Sequence, residues 1–328
     1  NDGAAMTSTL TEERLIHVPG MCSRWVRLAN GAKAHYMTSG ETGPAVILLH
    51  GGIPGSSGTA GFRFTAAYLG EQGFRVYCPD MPGFGMSDTR EEYWPRRGTL
   101  DHVDFLEQFV TALCIDDFHL SGNSMGCINA IHYAVRYPHR VKSLALVAGF
   151  VGDHVPSKKK NTEEDMSQPI KLPENKEEMR EMMKTIIRKD AKITDDLLTM
   201  RFEASIRQKD SWPHFYRCIA LDGADENTKI AISTKDRIDK LDIPTIYLYG
   251  EDDHLCPVEI GHRQEDALPN MQFFYVPDCG HQGQTDRPDI FNPLFADFFH
   301  NGRVSREHAD KAGVSKRRPE LTHLVEQA

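Results

Sequence analysis

The stretch Leu120-Ser121-Gly122-Asn123-Ser124-Met125-Gly126-Cys127 decides the fold. The apolar residues before it predict the end of a buried strand, and the apolar spacing after it predicts a helix. The pattern Gly-Asn-Ser-Met-Gly therefore lies in a tight turn, where glycine is needed on both sides of the serine because side chains would collide. Such a turn holds the Ser124 hydroxyl above the helix N-terminus, where backbone N–H groups can face a developing negative charge. Because a bare Gly-x-Ser-x-Gly also occurs in ordinary turns, the rest of the chain must decide its meaning.

Composition and charge limit the classes of function. The 328 residues, 40% of them apolar, suffice for one large α/β domain with an insertion. A net charge of −9 leaves no basic field for nucleic acid, so we expect no nucleic-acid partner. Seven scattered cysteines without a Cys-x-x-Cys favour free thiols in a reducing compartment. With no apolar run of membrane-spanning length and no visible signal peptide, we expect a cytoplasmic protein without a membrane partner.

The order of apolar runs predicts the domain organisation. A hairpin turn at Asn30-Gly31 comes first, and buried runs then alternate with helical patterns, which predicts a mainly parallel, twisted sheet flanked by helices. A charged, helical segment interrupts this alternation, and we interpret it as an inserted cap. Its pattern predicts one helix over about 176–188, a second with Thr194 as its N-cap and a third that starts at Trp212. The tail is highly charged and reads more simply as a mobile end than as a docking arm. The predicted units are a remnant of cloning at 1–5, a first core part at 6–150, a helical cap at 151–240, a second core part at 241–300 and a charged C-terminal tail at 301–328.

Three polar residues, Ser124, Asp253 and His281, each follow a predicted strand in that order. Serine, then acid, then histidine is the order of the α/β-hydrolase arrangement, whereas other triad enzymes use different orders. The chain from about Arg24 to Phe299 resembles the α/β-hydrolase family, and the fold class we expect is that of this family with an inserted cap. The resemblance rests on His50-Gly51-Gly52, Asp80-x-x-Gly83-x-Gly85-x-Ser87, the serine turn, Gly250-x-x-Asp253-x-x-x-Pro257 and Gly280-His281.

In such a triad Ser124 is the nucleophile, His281 takes and returns its proton, and Asp253 orients the imidazole. The backbone N–H groups of Gly52 and Met125 are the expected oxyanion donors. Asp252 is a rival for the acid, and the family spacing to Pro257 favours Asp253.

Other residues with chemical potential have simpler interpretations. Asp252, His254 and His281 match no zinc spacing, so we expect no metal. The glycines after Asp80 lack the third glycine of a dinucleotide loop, so we expect no cofactor. We expect His50 to brace the oxyanion loop and Cys279 to be a buried thiol.

Three stretches, 51–58, 122–126 and 200–208, resemble more particularly the meta-cleavage-product hydrolases. Those enzymes cleave a carbon–carbon bond in dienoic keto-acids formed by aromatic ring fission. The resemblance implies that Arg201 binds near the acid end of the substrate and that Asn123 is its companion in the pocket. Arg201 shares a helical face with apolar residues, so an inward position is reasonable. A surface arginine paired with an acid is the alternative.

Two pocket positions depart from that family. It has an asparagine where this chain has Gly61, and a tryptophan where this chain has Gln282. These changes remove a polar anchor and an aromatic wall but leave the triad untouched. The machinery that remains is that of general acyl transfer, for which an ester or lactone is the easier substrate.

We therefore expect hydrolysis of an ester or lactone in a bulky, partly aromatic small molecule. The chain is also similar to zearalenone hydrolases, which open a resorcylic macrolactone, and such a lactone is the sharpest version of this expectation. Carbon–carbon hydrolysis is the alternative, and a ligand-sensing protein on a hydrolase scaffold is a second, because fold does not fix function. Relatives often form dimers, so the resemblance also implies a homodimer.

Overall fold

A computed structural model describes residues 9–10, 15–149, 170–214, 227, 230–231 and 233–328. No helix in this part of the chain is long and apolar enough to cross a membrane. The strands are β1 Thr9–Leu10, β2 Ile16–His17, β3 Cys22–Arg27, β4 Lys33–Ser39, β5 Ala45–Leu49, β6 Arg75–Pro79, β7 Phe118–Asn123, β8 Val141–Val147, β9 Thr245–Gly250 and β10 Gln272–Val276. The helices are α1 Gly58–Glu71, α2 Thr99–Ala112, α3 Met125–Arg136, α4 Lys176–Lys184, α5 Asp195–Arg207, α6 Val258–Ala267, α7 Gly283–Asp286, α8 Pro288–Asn301 and α9 Arg306–Lys311.

The main sheet has eight strands in the order β10-β9-β8-β7-β5-β6-β4-β3. The strands from β10 to β6 are parallel, whereas β4 and β3 join the edge of the sheet antiparallel. The predicted α/β class with its mainly parallel sheet is thereby confirmed, as is the hairpin between β3 and β4. In such sheets ligands bind at the carboxyl ends of the strands, and Ser124, Asp253 and His281 all follow a strand at this end.

The central strand β5 explains why the sheet is covered on both faces. All five of its residues are buried, and successive side chains of a strand point to opposite faces. Ile47 and Leu49 belong to one apolar cluster, which includes residues of α2 and α3. Val46 and Leu48 belong to a second, which includes residues of α1 and α8. The continuous apolar run of β5 therefore has partners on both sides, and this rigid centre supports the loops that follow it.

Helices α4 and α5 of the predicted cap pack on each other and on the core helix α1 through a small apolar cluster. The predicted helix over 176–188 is shorter in the structure, where it ends at Lys184 because the hydroxyl of Thr185 donates to the carbonyl of Met182. Thr194 is the N-cap residue of α5, but its hydroxyl donates to Asp196 and not to the helix backbone. Residues 212–214 are helical, as the prediction of a third helix at Trp212 requires. Residues 1–5, and much of the cap at 151–169 and 215–226, lie outside the described residues.

The expectation of a mobile C-terminal end is wrong. Residues 313–315 run beside the edge strand β10, where the N–H of Tyr275 donates to the carbonyl of Gly313 at 2.8 Å. The buried carboxylate of Glu265 accepts hydrogen bonds from the hydroxyls of Ser315 and Tyr275 at 2.6 and 2.5 Å. The tail thus satisfies edge groups that a free strand would leave unpaired. Its charged surface hides a buried apolar side, which consists of Val304, Ala309, Ala312, Val314, Leu324 and Val325.

Candidate active site

The turn at Ser124 is built by close backbone contacts. Ser124 lies between β7 and α3 with φ 58° and ψ −117°, a conformation that L residues rarely adopt. Its N–H donates to the carbonyls of Val147 and Ala148 at 3.0 and 2.8 Å. A Cβ atom at Gly122 would lie 2.0 Å from the carbonyl oxygen of Gly126, so glycine is required there. The turn leaves the Ser124 side chain partly exposed at the end of the sheet.

Asp253 and His281 form a buried pair. Nδ1 of His281 lies 2.8 Å from Oδ2 of Asp253, and the two residues are 4% and 5% exposed. The other carboxylate oxygen of Asp253 accepts the N–H groups of Leu255 and Cys256 at 2.9 and 2.8 Å. An ionised carboxylate only accepts, so Nδ1 is the donor in this pair, and in a neutral ring Nε2 then has a free lone pair. Nε2 is buried and has no hydrogen-bond partner among the described residues, so it is available to take a proton.

The loop that carries His281 lies against the end of the serine strand. The side-chain amide of Asn123 donates to the carbonyl of His281 at 3.0 Å and to that of Val147 at 3.2 Å. Asn123 therefore links the serine turn to the loop of His281, although within the described residues Nε2 of His281 has no hydrogen bond to Ser124. Catalytic hydrogen bonds are often long before substrate binds, so this geometry is compatible with a triad.

The rival acid Asp252 faces away from this pair. Its side chain is 41% exposed and lies 3.4 Å from Nε of Arg188. The structure therefore brings Asp253, and not Asp252, to the imidazole of His281.

The two candidate oxyanion donors are adjacent. A Cβ atom at Gly52 would lie 2.9 Å from Sδ and 3.0 Å from Cβ of Met125, so the two residues are in close contact. His50 holds this loop: its Nδ1 lies 2.6 Å from the carbonyl oxygen of Gly51, and its Nε2 accepts the N–H of Met81 at 2.9 Å. Since Nε2 accepts, Nδ1 must donate, which requires a neutral ring. Burial lowers the pKa of His50 to about 4, so the ring is neutral at pH 7.

Arg201 is a buried cation whose partners are neutral. It is 2% exposed, and its Nη1 and Nη2 donate to Oγ of Ser56 and Oε1 of Gln282, each at 3.0 Å. Its Nε has no hydrogen-bond partner, and no carboxylate among the described residues pairs with it. Burial, together with the nearby charge of Arg63, lowers the pKa of Arg201 to about 9. The alternative of a surface arginine paired with an acid is therefore wrong.

The other predicted pocket residues belong to a connected amide network. Nε2 of Gln282 donates to Oγ1 of Thr285 at 2.6 Å. Nε2 of Gln284 donates to the carbonyl of Gly61 at 3.1 Å and to Oδ1 of Asn123 at 3.2 Å. The structure thus connects Gly61 to Asn123 through Gln284, and Gln282 to Arg201. A side chain at Gly61 would press on His50, since a Cβ atom there would lie 3.3 Å from Cβ of His50.

Sequence reasoning missed Ser56 and Gln284. Ser56 stood in the glycine-rich stretch that resembled the family, and Gln284 follows Gln282 by two residues. Their residue types gave no sign of function, because serine and glutamine are common in loops. Only their contacts with Arg201, Asn123 and Gly61 identify them.

An apolar cleft of about 480 Å³ opens beside the oxyanion loop. Ile53, which follows Gly52, and Leu255, which follows Asp253 by two residues, form one side. Leu172 and Met182 of the cap lie on the other. The cleft is large enough for a bulky apolar group, although Ser124 and His281 are not among the residues that line it.

The described residues contain no group of three or more His, Cys, Asp or Glu that could hold a metal ion. Cys279 is buried, and burial raises the pKa of its thiol well above the ordinary value. A thiol that stays protonated is a poor nucleophile. Ser124, and not Cys279, is therefore the candidate nucleophile.

The low pKa of His50 predicts acid sensitivity of the fold. The unfolded ring has a pKa near 6.5, so between about pH 6.5 and 4 the unfolded chain binds a proton that the folded chain does not. The contribution of His50 to stability is complete above this range and is lost as the pH falls through it. We expect the free energy of unfolding to depend on pH less steeply in His50→Gln than in the wild type. The difference in slope corresponds to up to about one proton bound on unfolding. Urea unfolding at several pH values measures this slope. The control His323→Gln, at an exposed position, should keep the wild-type slope, and an equal slope in His50→Gln would contradict the prediction.

Comparison with known proteins agrees with this fold. The family model of the alpha/beta hydrolase fold matches residues 44–191. A 2-hydroxy-6-oxononadienedioate/2-hydroxy-6-oxononatrienedioate hydrolase from Paraburkholderia phymatum is 28% identical over 299 residues, which cover 89% of this chain and 99% of the relative. A 2-hydroxy-6-oxo-6-phenylhexa-2,4-dienoate hydrolase from Burkholderia cepacia is 30% identical over 276 residues, 82% of this chain and 92% of the relative.

Among solved structures, the meta-cleavage product hydrolase CumD from Pseudomonas fluorescens superposes with a TM-score of 0.68 at 28% identity, over 85% of this chain and 98% of its own. The chain is a hydrolase that belongs to the α/β-hydrolase family, in the branch of the meta-cleavage-product hydrolases.

Proposed function

We propose that this hydrolase cleaves an ester or lactone bond in a bulky, partly aromatic substrate through an acyl-enzyme on Ser124. His281 takes the proton of the serine hydroxyl at Nε2, which has no hydrogen-bond partner among the described residues. Asp253, bonded to Nδ1, stabilises the imidazolium that forms. The N–H groups of Gly52 and Met125 hold the oxyanion of the tetrahedral intermediate, and each such donor contributes about 3 kcal/mol in comparable sites.

The rest of the cycle follows from the same groups. The imidazolium returns its proton to the leaving alkoxide, so an ester releases an alcohol and a lactone opens with its hydroxyl still attached. Water then attacks the acyl-enzyme, with His281 as the general base. The balance is the gain of one water, and the product is an acid and an alcohol, joined in one chain when the substrate is a lactone.

The hydrogen bond between Arg201 and Gln282 carries the preference for a neutral substrate. In the family that this chain resembles, we expect the equivalent arginine to serve the acid end of the substrate. Here Ser56 and Gln282 already accept from both terminal nitrogens of Arg201. A substrate carboxylate would compete with these two acceptors for the N–H donors of the guanidinium, whereas a neutral ester or lactone leaves both bonds intact. The change from tryptophan to Gln282 thus favours substrates without an acid group.

The apolar cleft supports a large substrate. Its volume of about 480 Å³ and its side chains from Ile53, Leu255 and the cap suit an apolar ring or chain next to the scissile bond. A resorcylic macrolactone of the zearalenone type combines an aromatic ring with an apolar macrocycle and a lactone. Such a macrolactone is the most specific substrate that we propose.

A second candidate function is carbon–carbon hydrolysis of dienoic keto-acids. It is supported by the charge of Arg201, which is buried, has no carboxylate partner in the described part of the chain and keeps Nε unpaired there. A substrate carboxylate there would accept charge-assisted hydrogen bonds and balance the buried charge. The names of the relatives, which are hydrolases of dienoic acids, support the same candidate.

Substitution of Asp253 and of Asp252 tests which of these two residues is the acid of the triad. Asp253→Asn should lower kcat by about 10⁴-fold, because an amide no longer stabilises the imidazolium or fixes its tautomer. Asp252→Asn is the matched control and should keep nearly full activity, since this side chain is exposed and pairs with Arg188. Esterase kinetics with an aryl acetate measure both variants. Equal losses in the two variants, or a full loss in Asp252→Asn alone, would overturn the assignment.

Paired mass-spectrometric assays test the scissile bond. The wild type is incubated separately with a resorcylic macrolactone and with an aryl dienoic ring-fission acid, and Ser124→Ala is the control for each. We expect a serine-dependent gain of one water on the lactone and no splitting of the dienoic acid. Serine-dependent splitting of the dienoic acid, with an intact lactone, would replace the proposal by the carbon–carbon candidate. Slow conversion that is unchanged in Ser124→Ala would favour a ligand-sensing protein.

A further inference from the structure

One buried carboxylate joins the cap to the loop of the triad histidine. Asp286, at the end of α7, is 1% exposed. It accepts the N–H of Gly280, the residue before His281, at 2.8 Å. It also accepts the N–H groups of Arg188 and Lys189 at 2.9 Å each. These two residues belong to the cap connection, defined here as residues 185–194 between α4 and α5.

Further contacts hold the same two segments together. The histidine loop, defined as residues 277–282, is bonded to the cap connection by the N–H of Gln282, which donates to the carbonyl of Ile186 at 2.8 Å. A Cβ atom at Gly280 would lie 3.1 Å from the N of Arg188 and 3.2 Å from the carbonyl oxygen of Ile186. The absence of a side chain at Gly280 is therefore what lets the cap connection approach so closely.

The charge of Asp286 is matched by backbone dipoles. Burial raises the pKa of this carboxyl, and the hydrogen bonds from Arg188, Lys189 and Gly280 partly oppose that rise. A carboxylate that accepts several N–H bonds forms charge-assisted hydrogen bonds, which are shorter and stronger than neutral ones. If an amide NH₂ replaced one carboxylate oxygen, it would face a backbone N–H group that also donates, and that hydrogen bond would be lost. The position therefore needs a carboxylate, and not merely a polar side chain of this size.

We propose that Asp286 is a positioning residue that locks the histidine loop to the cap connection, so that His281 reaches Ser124 only when the cap is seated on the core. Asp286 does this by holding the peptide next to His281 and two peptides of the cap at once. The inference rests on the proposed triad chemistry, but it does not depend on which bond of the substrate is cleaved.

The sharpest test removes one hydrogen bond on the cap side. Lys189→Pro deletes the N–H that donates to Asp286, and the native φ of −96° at this residue is near the range of proline. Lys189→Ala is the matched control, because it keeps the N–H and loses only the ion pair with Asp278, at 3.0 Å. The readout is the second-order rate of labelling of Ser124 by a fluorophosphonate, with the final labelled fraction and the Tm recorded for each protein.

We expect Lys189→Ala to label within about twofold of the wild type and Lys189→Pro to label at least tenfold more slowly, while both reach full labelling. With an aryl ester, Lys189→Pro should lower kcat and leave KM within about threefold. A merely structural role would lower the Tm or the final labelled fraction but not the rate of the folded molecules. Equal labelling rates in Lys189→Pro and Lys189→Ala would overturn the inference.

A second pair of variants keeps the test valid if Lys189→Pro does not fold. Asp286→Asn should label Ser124 at least tenfold more slowly, and Asp286→Glu should recover part of the rate because it restores a carboxylate. A wild-type rate in Asp286→Asn would overturn the inference. Failure of the triad proposal is distinct, since then the wild type itself would not be labelled, or Ser124→Ala would be labelled equally fast.

Discussion

The close approach of three backbones at Ser124 is the constraint on which the rest of the structure depends. A Cβ atom at Gly126 would lie 2.1 Å from the carbonyl oxygen of Leu49, at the end of β5, and one at Gly122 would meet Gly126. Two glycines therefore let the serine turn pack against the central strand, and the positive φ of Ser124 is the cost of this arrangement. Because β5 is buried on both faces, the oxyanion loop that follows it is held in the same place. The acid and the histidine then need only follow neighbouring strands to arrive at the same edge.

The second constraint is the buried positive charge of Arg201. Its acceptors among the described residues are neutral, and leaving a buried cation unpaired is costly unless hydrogen bonds or a ligand compensate. The neutral acceptors provide part of this compensation, and Gln282 is the one that departs from the family. The identity of this residue therefore connects one sequence change to the charge of the substrate. The cap connection adds a further dependence, since Arg201 and the peptides that bind Asp286 belong to the same inserted segment.

The sheet and the pairing of Asp253 with His281 could be predicted from the sequence, because strand ends of a parallel sheet meet at one edge and the turn residues are specific. The packed tail could not, because its buried residues are spaced among charges without the period of a helix or strand. The partners of Arg201 lie 145 and 81 residues away in sequence, so no local pattern could name them. Asp286 was equally hidden, since its partners are backbone N–H groups, which every residue except proline carries. Local sequence patterns therefore identified the candidate triad residues, whereas only the three-dimensional contacts identified the partners of Arg201 and Asp286.

The proposed preference for a neutral substrate is tested most directly by the ratio of the KM for a resorcylic macrolactone to the inhibition constant of an aryl dienoic acid that competes with it. Gln282→Leu removes the acceptor from Nη2 of Arg201 at similar side-chain size, and Gln284→Leu makes the same chemical change at a residue that contacts Gly61 and Asn123 instead. We predict that Gln282→Leu shifts the ratio at least tenfold toward the acid, because a freed arginine nitrogen can bind the carboxylate, and that Gln284→Leu does not. The same ratio in Gln282→Leu and Gln284→Leu would contradict the account.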